Sequence, residues 1–257
     1  NFSLKQTFLA PNALAAIYPA VGSTFGKDTA DLSSVPNPLP LPKVLGDVQV
    51  LFDGVACPLY FASPGQINIV VPWDAQTGPL PSDLQVIQVS TGRVLAAGLV
   101  PMNTVAPGIL TGATVGAGQV QAVVLNQDNQ PNSPTHPAAR GEVIQIFATG
   151  QGFLQGHPAD GDNPTSAIST DPGTVNLRVI LGACPLDSCV LLTGEKQLYP
   201  NFLAYSGTTG YPGLWQINVQ IPQTTDPTKP AGLGLIVNGY SSNGGSIGTP
   251  TPVIFVK

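Results

Sequence analysis

Apolar and polar side chains alternate along this chain in short runs, a period of two that marks half-buried strands. Val48 to Phe52 sets Val48, Val50 and Phe52 against Gln49 and Leu51. Gln66 to Val71 sets Gln66 and Asn68 against Ile67 and Ile69. Glu142 to Ala148 sets Val143, Gln145 and Phe147 against Ile144, Ile146 and Ala148, with the β-branched content of a strand. Further strands are expected at 59–62, 84–90, 93–99, 119–126, 233–238 and 253–256. Asp53-Gly54 and Thr91-Gly92 supply hairpin signals between neighbouring runs. Prolines at 36, 38, 40 and 42 cannot donate into a ladder, so that stretch reads as an extended loop or edge segment.

The pattern occurs twice. Gln66-Ile67-Asn68-Ile69-Val70-Val71-Pro72 returns as Gln216-Ile217-Asn218-Val219-Gln220-Ile221-Pro222, an offset of 150 (216 less 66). Val48 to Gly54 resembles Leu177 to Gly182, with glycines offset by 128 (182 less 54). Ala16-Ile17-Tyr18 through Gly22 and Phe25 resembles Gln145-Ile146-Phe147 through Gly150 and Phe153, with glycines again offset by 128 (150 less 22). Val86 to Gly92 matches Leu233 to Gly239, offset by 147 (239 less 92). Four anchors in the same order read as an internal duplication. The six residues 13–18 are too few for periodicity to separate strand from helix, and their match to 142–148 makes them a strand. The second copy carries 22 additional residues (150 less 128) between Gly182 and Gln216, an insertion at about 183–213. Val105-Ala106-Pro107-Gly108 is the expected junction. The chain therefore reads as all-β, two tandem immunoglobulin-like β-sandwiches over 1–104 and 105–257.

Composition narrows the partners. Hydrophobic residues are 42 % of the chain, enough for packed cores, while 29 glycines and 27 prolines break it into short segments. Charged residues are only 9 %, and the net charge is −5 with nine basic residues. No Lys/Arg cluster is present to neutralise phosphates, which argues against nucleic acid and against an anionic membrane surface. No apolar run reaches the roughly 20 residues of a membrane-spanning helix. Few lysines, many Ser, Thr and Asn residues and a close cysteine pair point to a secreted or cell-surface protein, and a start at Asn1 is compatible with a leader already removed.

The block Gly54-x-x-Cys57-Pro58-Leu59-Tyr60-Phe61-Ala62-Ser63-Pro64-Gly65-Gln66-Ile67-Asn68, with Arg140-Gly141 followed by Ile146-Phe147-Ala148-Thr149-Gly150-Gln151-Gly152, and Gly213-Leu214-Trp215-Gln216-Ile217-Asn218, resembles the Solibacter C-terminal domain family. That family lies at the C-terminal ends of large secreted bacterial proteins, and the resemblance covers nearly the whole chain. It implies a piece of a larger secreted protein and brings no catalytic residues with it. Each half is also similar to IPT/TIG immunoglobulin-like domains, which implies a scaffold or recognition role. The insertion departs from a minimal domain of that type.

Several side chains are candidates for chemistry. Cys184 and Cys189 bracket Pro185-Leu186-Asp187-Ser188. A disulfide clipping this turn is the preferred reading, worth roughly 2 kcal/mol in the chain-entropy model, against a pair of buried reduced thiols. Cys57 reads as a buried free thiol. His136 and His157 each precede a proline, and no Gly-x-Ser-x-Gly elbow accompanies them, so a hydrolase is the weakest reading. Asp160-Gly161-Asp162-Asn163 is similar to a calcium loop but lacks the EF-hand spacing and closing Glu, leaving a solvated turn as the stronger reading. The repeated Gln-x-Asn amides read as structural, satisfying neighbouring loop backbone. Tyr199, Phe202, Tyr205, Tyr211 and Trp215 crowd the insertion and its exit, and Tyr60, Phe61 and Trp73 surround the equivalent hairpin of the first copy. Such aromatics either stack on a ligand or cover the sandwich ends as small cores. The expectation is a non-catalytic extracellular structural or interaction module, protein- or cell-surface-binding, without cofactor. A carbohydrate-binding module using the insertion aromatics is the alternative.

Overall fold

The computed structural model describes residues 8–26, 28–116, 118–169, 176–182, 190–193, 203–242 and 250–257. The fold is all-β: antiparallel sheets surround two apolar cores, the arrangement of β-sandwich domains. Among the described residues no α-helix occurs, and no helix is long and apolar enough to cross a membrane.

One core draws on Ala13 to Met102. Its first sheet runs, in spatial order, Leu14–Ile17, Gln66–Val70, Leu59–Ser63 and Ala30–Asp31. The facing sheet runs Val55–Ala56, Val48–Phe52, Ser82–Gln88 and Arg93–Val100. Alternation does what the sequence suggested: Ile67 and Ile69 from one sheet meet Val50, Phe52 and Val86 from the other, and all are buried. The second core draws on Val105 to Val256. One of its sheets runs Val124–Leu125, Val143–Thr149, Trp215–Gln220 and Leu203–Thr208, with Gly108–Ile109 also paired to Val143–Thr149. The other contains Thr111–Gly116, Gln119–Ala122, Thr251–Ile254, Ala231–Val237, Leu177–Leu181 and Val190–Thr193. Within it Gln119–Ala122 and Thr251–Ile254 pair parallel.

Strand pairings recur between the halves. Ala16 faces Asn68 and Ile17 faces Ile67, while Gln145 faces Asn218 and Ile146 faces Ile217. The next pairing repeats with its irregularity: a register shift lies between Leu59 and Phe61, and another between Leu203 and Tyr205. In both halves the Gln and Asn of the repeated phrase bond to each other, Gln66 Nε2 donating to Asn68 Oδ1 at 2.6 Å and Gln216 Nε2 to Asn218 Oδ1 at 2.8 Å. The amides therefore satisfy one another along the strand, where the sequence had suggested loop backbone as their partner.

Three further differences have physical causes. The run 119–126 divides into Gln119–Ala122 and Val124–Leu125, which belong to different sheets. Val123 breaks the run because its N–H donates to Leu110 O instead of a ladder partner. Gly92 and Gly239 occupy turns of unequal length, four residues between Gln88 and Arg93 and two between Val237 and Tyr240. The flanking strands are therefore offset by 149 (237 less 88) while the glycines are offset by 147. Lastly, Val190–Thr193 pairs with Leu177–Leu181 as the two-residue Val55–Ala56 pairs with Val48–Phe52, so part of the insertion lengthens a hairpin.

Candidate functional site

The two halves meet through buried polar groups that satisfy each other. Thr149 Oγ1 accepts from Leu14 N at 2.7 Å and donates to Gly213 O at 2.8 Å. Asn12 Oδ1 accepts from Gly213 N at 3.1 Å. Gly213 has φ +79°, where any other side chain is strained, and a Cβ there would press on the Leu14 side chain, 2.7 Å from its Cδ2, so this contact favours a bare backbone. Beside the junction, Gly150 has φ +77° and a Cβ on it would overlap Ala106 O. Ala106 N donates to Gly150 O at 2.8 Å, which ties the junction residues to the second half.

This contact builds an apolar slot of about 380 Å³ lined by Leu14, Tyr60, Phe61 and Asn68 from the first half and Tyr211 and Leu214 from the second. Its size falls within the usual range of ligand pockets, about 300–1,000 Å³. Tyr60 reaches across the seam, its hydroxyl donating to Pro212 O at 2.8 Å. Burial, and secondarily Tyr211 nearby, pushes the Tyr60 phenol well above its ordinary value. Tyr211 follows Thr209, whose hydroxyl accepts from Tyr211 N at 3.0 Å, and its side chain is 64 % exposed.

The remaining sequence candidates are placed elsewhere. Trp215 is 0 % exposed, packed in the second core, with Nε1 donating to Ser206 Oγ at 2.9 Å. It offers no face to a ligand; strand alternation puts it on the inward side with Ile217 and Val219. Tyr205 is half-buried, and its hydroxyl donates to Thr208 O at 2.7 Å. Trp73 is 5 % exposed and lies beneath His157, ring centroids 4.8 Å apart and planes 17° from parallel. Cys184, Cys189, Tyr199 and Phe202 lie outside the described residues. Of the insertion aromatics that are described, Tyr211 reaches the slot. Tyr60 and Phe61, adjacent on Leu59–Ser63, join it because the register shift after Leu59 interrupts the alternation there.

Asp160 closes a second tie between the halves, its Oδ1 accepting from Trp73 N at 2.8 Å, and Leu41 N donates to Gly161 O at 2.9 Å. The calcium-like loop is here an inter-half clasp, and no group of three metal-ligating side chains occurs among the described residues. His136 pairs with Asp128 at 2.8 Å on an exposed turn. Gln130 N, and to a lesser degree His136, hold the Asp128 carboxyl below its ordinary value.

Cys57 is fully buried, and its thiol is pushed up to about 12, by burial first and by Asp160 second, with Lys43 acting the other way. Between its ordinary 9.0 and that value the native chain holds a proton that the unfolded chain loses, so stability falls as pH rises above 9.0. Iodoacetamide at about pH 8 followed by peptide mapping should leave Cys57 unmodified in the native chain and modify it in denaturant.

No family model matches the chain, and no curated protein matches it. Among solved structures, the viral chemokine binding protein R17 encoded by rodent gammaherpesvirus Peru is similar at 10 % identity. That match covers 91 % of this chain and 84 % of the viral one, with a TM-score of 0.14, too low to carry an argument.

Proposed function

We propose that the chain is a non-catalytic, exported interaction module, two duplicated immunoglobulin-like sandwiches over 1–104 and 105–257 whose shared slot receives a bulky apolar side chain of a protein partner. The lining of that slot is the observation that carries the reading. Leu14, Tyr60, Phe61, Tyr211 and Leu214 offer apolar surface, and two of the polar atoms present, the Tyr60 hydroxyl and Asn68 Oδ1, are already engaged. The Tyr60 hydroxyl serves Pro212 O, and Asn68 Oδ1 serves Gln66. A sugar in this slot would surrender hydroxyl hydration with few new hydrogen bonds to replace it, an unfavourable exchange. An apolar side chain meets no such cost, and an aromatic or aliphatic anchor in a desolvated pocket is the usual centre of a protein interface. The blocks at 54–68, 140–152 and 213–218 support placing the chain with the Solibacter C-terminal domain family, and secretion goes with that assignment.

A phage-displayed peptide library panned on the full chain tests the reading. Selected peptides should share one bulky apolar anchor. Tyr211→Ala and Phe61→Ala should each weaken them at least about tenfold while the melting temperature holds. Peptides without a common anchor, or with unchanged affinity for both variants, would refute it.

A further inference from the structure

A second cleft, of about 320 Å³, opens beside the junction on residues unlike those of the apolar slot. Its lining includes Phe153, Asp74, Thr77, Thr104, Gln151 and Asn238. One exposed aromatic ring thus stands among a carboxylate, two hydroxyls and two amides. Gln151 is 2 % exposed, so one of those amides belongs to the buried floor of the cleft.

Phe153 departs from the duplication. Its counterpart in the first copy, Phe25, is 1 % exposed and sits in the core, whereas Phe153 is 54 % exposed. The repeat thus keeps an aromatic at this position while moving it from the core to the surface. The ring is also held in place. Phe153 and His157 meet in a T-shaped pair with centroids 5.1 Å apart at 79°, and His157 in turn stacks on the buried Trp73. His157 Nδ1 lies 2.8 Å from Pro158 O, and Nε2 lies 3.8 Å from Asp74 Oδ1. Aromatic ring and carboxylate thus both lie beside the same imidazole.

We infer that this cleft binds a neutral saccharide, one pyranose ring packed on Phe153 with its hydroxyls hydrogen-bonded to Asp74 and the surrounding amides and hydroxyls. The chemistry matches: the C–H face of a pyranose is apolar and suits an aromatic ring. Vicinal hydroxyls both donate and accept, as carboxylate, amide and hydroxyl partners require. Among the described residues no Lys or Arg lines the cleft, so an acidic sugar finds no counter-charge there, while Asp74 accepts from a neutral one. The volume lies at the small end of the range of ligand pockets, about 300–1,000 Å³, which suits one ring with its neighbours outside.

Saturation-transfer NMR on the full chain, with glucose, galactose, mannose, N-acetylglucosamine and their β-linked disaccharides at millimolar concentration, tests this site. At least one sugar should receive saturation. Phe153→Ala and Asp74→Asn should each weaken that sugar at least about tenfold. Tyr211→Ala, in the apolar slot, should leave it unchanged. If Phe153→Ala lowers the melting temperature, Asp74→Asn decides, because the Asp74 side chain is 86 % exposed. No transfer to any of these sugars, binding that survives Asp74→Asn, or binding lost on Tyr211→Ala would each overturn the inference. None of those results bears on whether selected peptides need Phe61 and Tyr211, so the two proposals fail separately.

Discussion

Replacing Trp215 by Ala is expected to destabilise the protein by about 3–5 kcal/mol, the usual cost of emptying a buried large aromatic site. The side chain is wholly enclosed among the strands of the second core, so its removal leaves a cavity whose neighbours close only in part. Ser206 Oγ also loses its indole donor in a buried setting. A loss of this size takes a large share of a total stability of about 5–15 kcal/mol. Urea titration followed by far-UV circular dichroism should show a much lower midpoint, or no cooperative transition. Tyr211→Ala, on the exposed rim of the slot, should stay within about 0.5 kcal/mol of the parent. A Trp215→Ala midpoint equal to the parent's would mean that the ring is not part of the core.

Thr149→Val should cost about 2–4 kcal/mol, since each buried polar group left without a partner carries about 1–3 kcal/mol. Valine keeps the β-branched shape and removes only the hydroxyl. That hydroxyl serves Leu14 N and Gly213 O together, and these belong to opposite halves. The loss should therefore appear at the contact between the halves as well as in overall stability. Amide hydrogen exchange should accelerate at Leu14, whose N–H loses its acceptor, while Ile67 and Ile217 in the two cores keep their protection relative to global unfolding. A parent-like midpoint and unchanged exchange at Leu14 would show that this bond contributes nothing to holding the halves together.

The sandwiches were legible because the information is local. Alternation at Val48–Phe52 and Gln66–Val70 fixes which side chains face inward, and the repeated phrase carries its pairing partners with it. Trp215 is legible by the same rule, two positions from Ile217, although its crowding with other aromatics leaves ligand stacking open as the alternative to a core position. The slot was not legible. Its walls come from Leu14 and Phe61 on one side and Tyr211 and Leu214 on the other, and the bonds that align them join residues as far apart as Asn12 and Gly213. Nothing in a strand's periodicity says how one sandwich rests on the next. The same holds for Asp160, whose loop pattern reads as a solvated turn ahead of a calcium loop, while its carboxylate accepts from Trp73 N. Phe153 lies between these cases. The repeat equates it with Phe25, and only the structure separates the buried ring from the exposed one.

The most direct test of a slot built by both halves is a titration of the isotope-labelled chain with N-acetyl-tryptophanamide, a free apolar side chain with capped termini, followed by amide chemical shifts. The amides of Leu14 and Phe61 in the first half and of Tyr211 and Leu214 in the second should move together along one saturable curve, and Tyr211→Ala should flatten that curve. Shifts confined to one half, or a response unchanged by Tyr211→Ala, would contradict a binding surface shared between them.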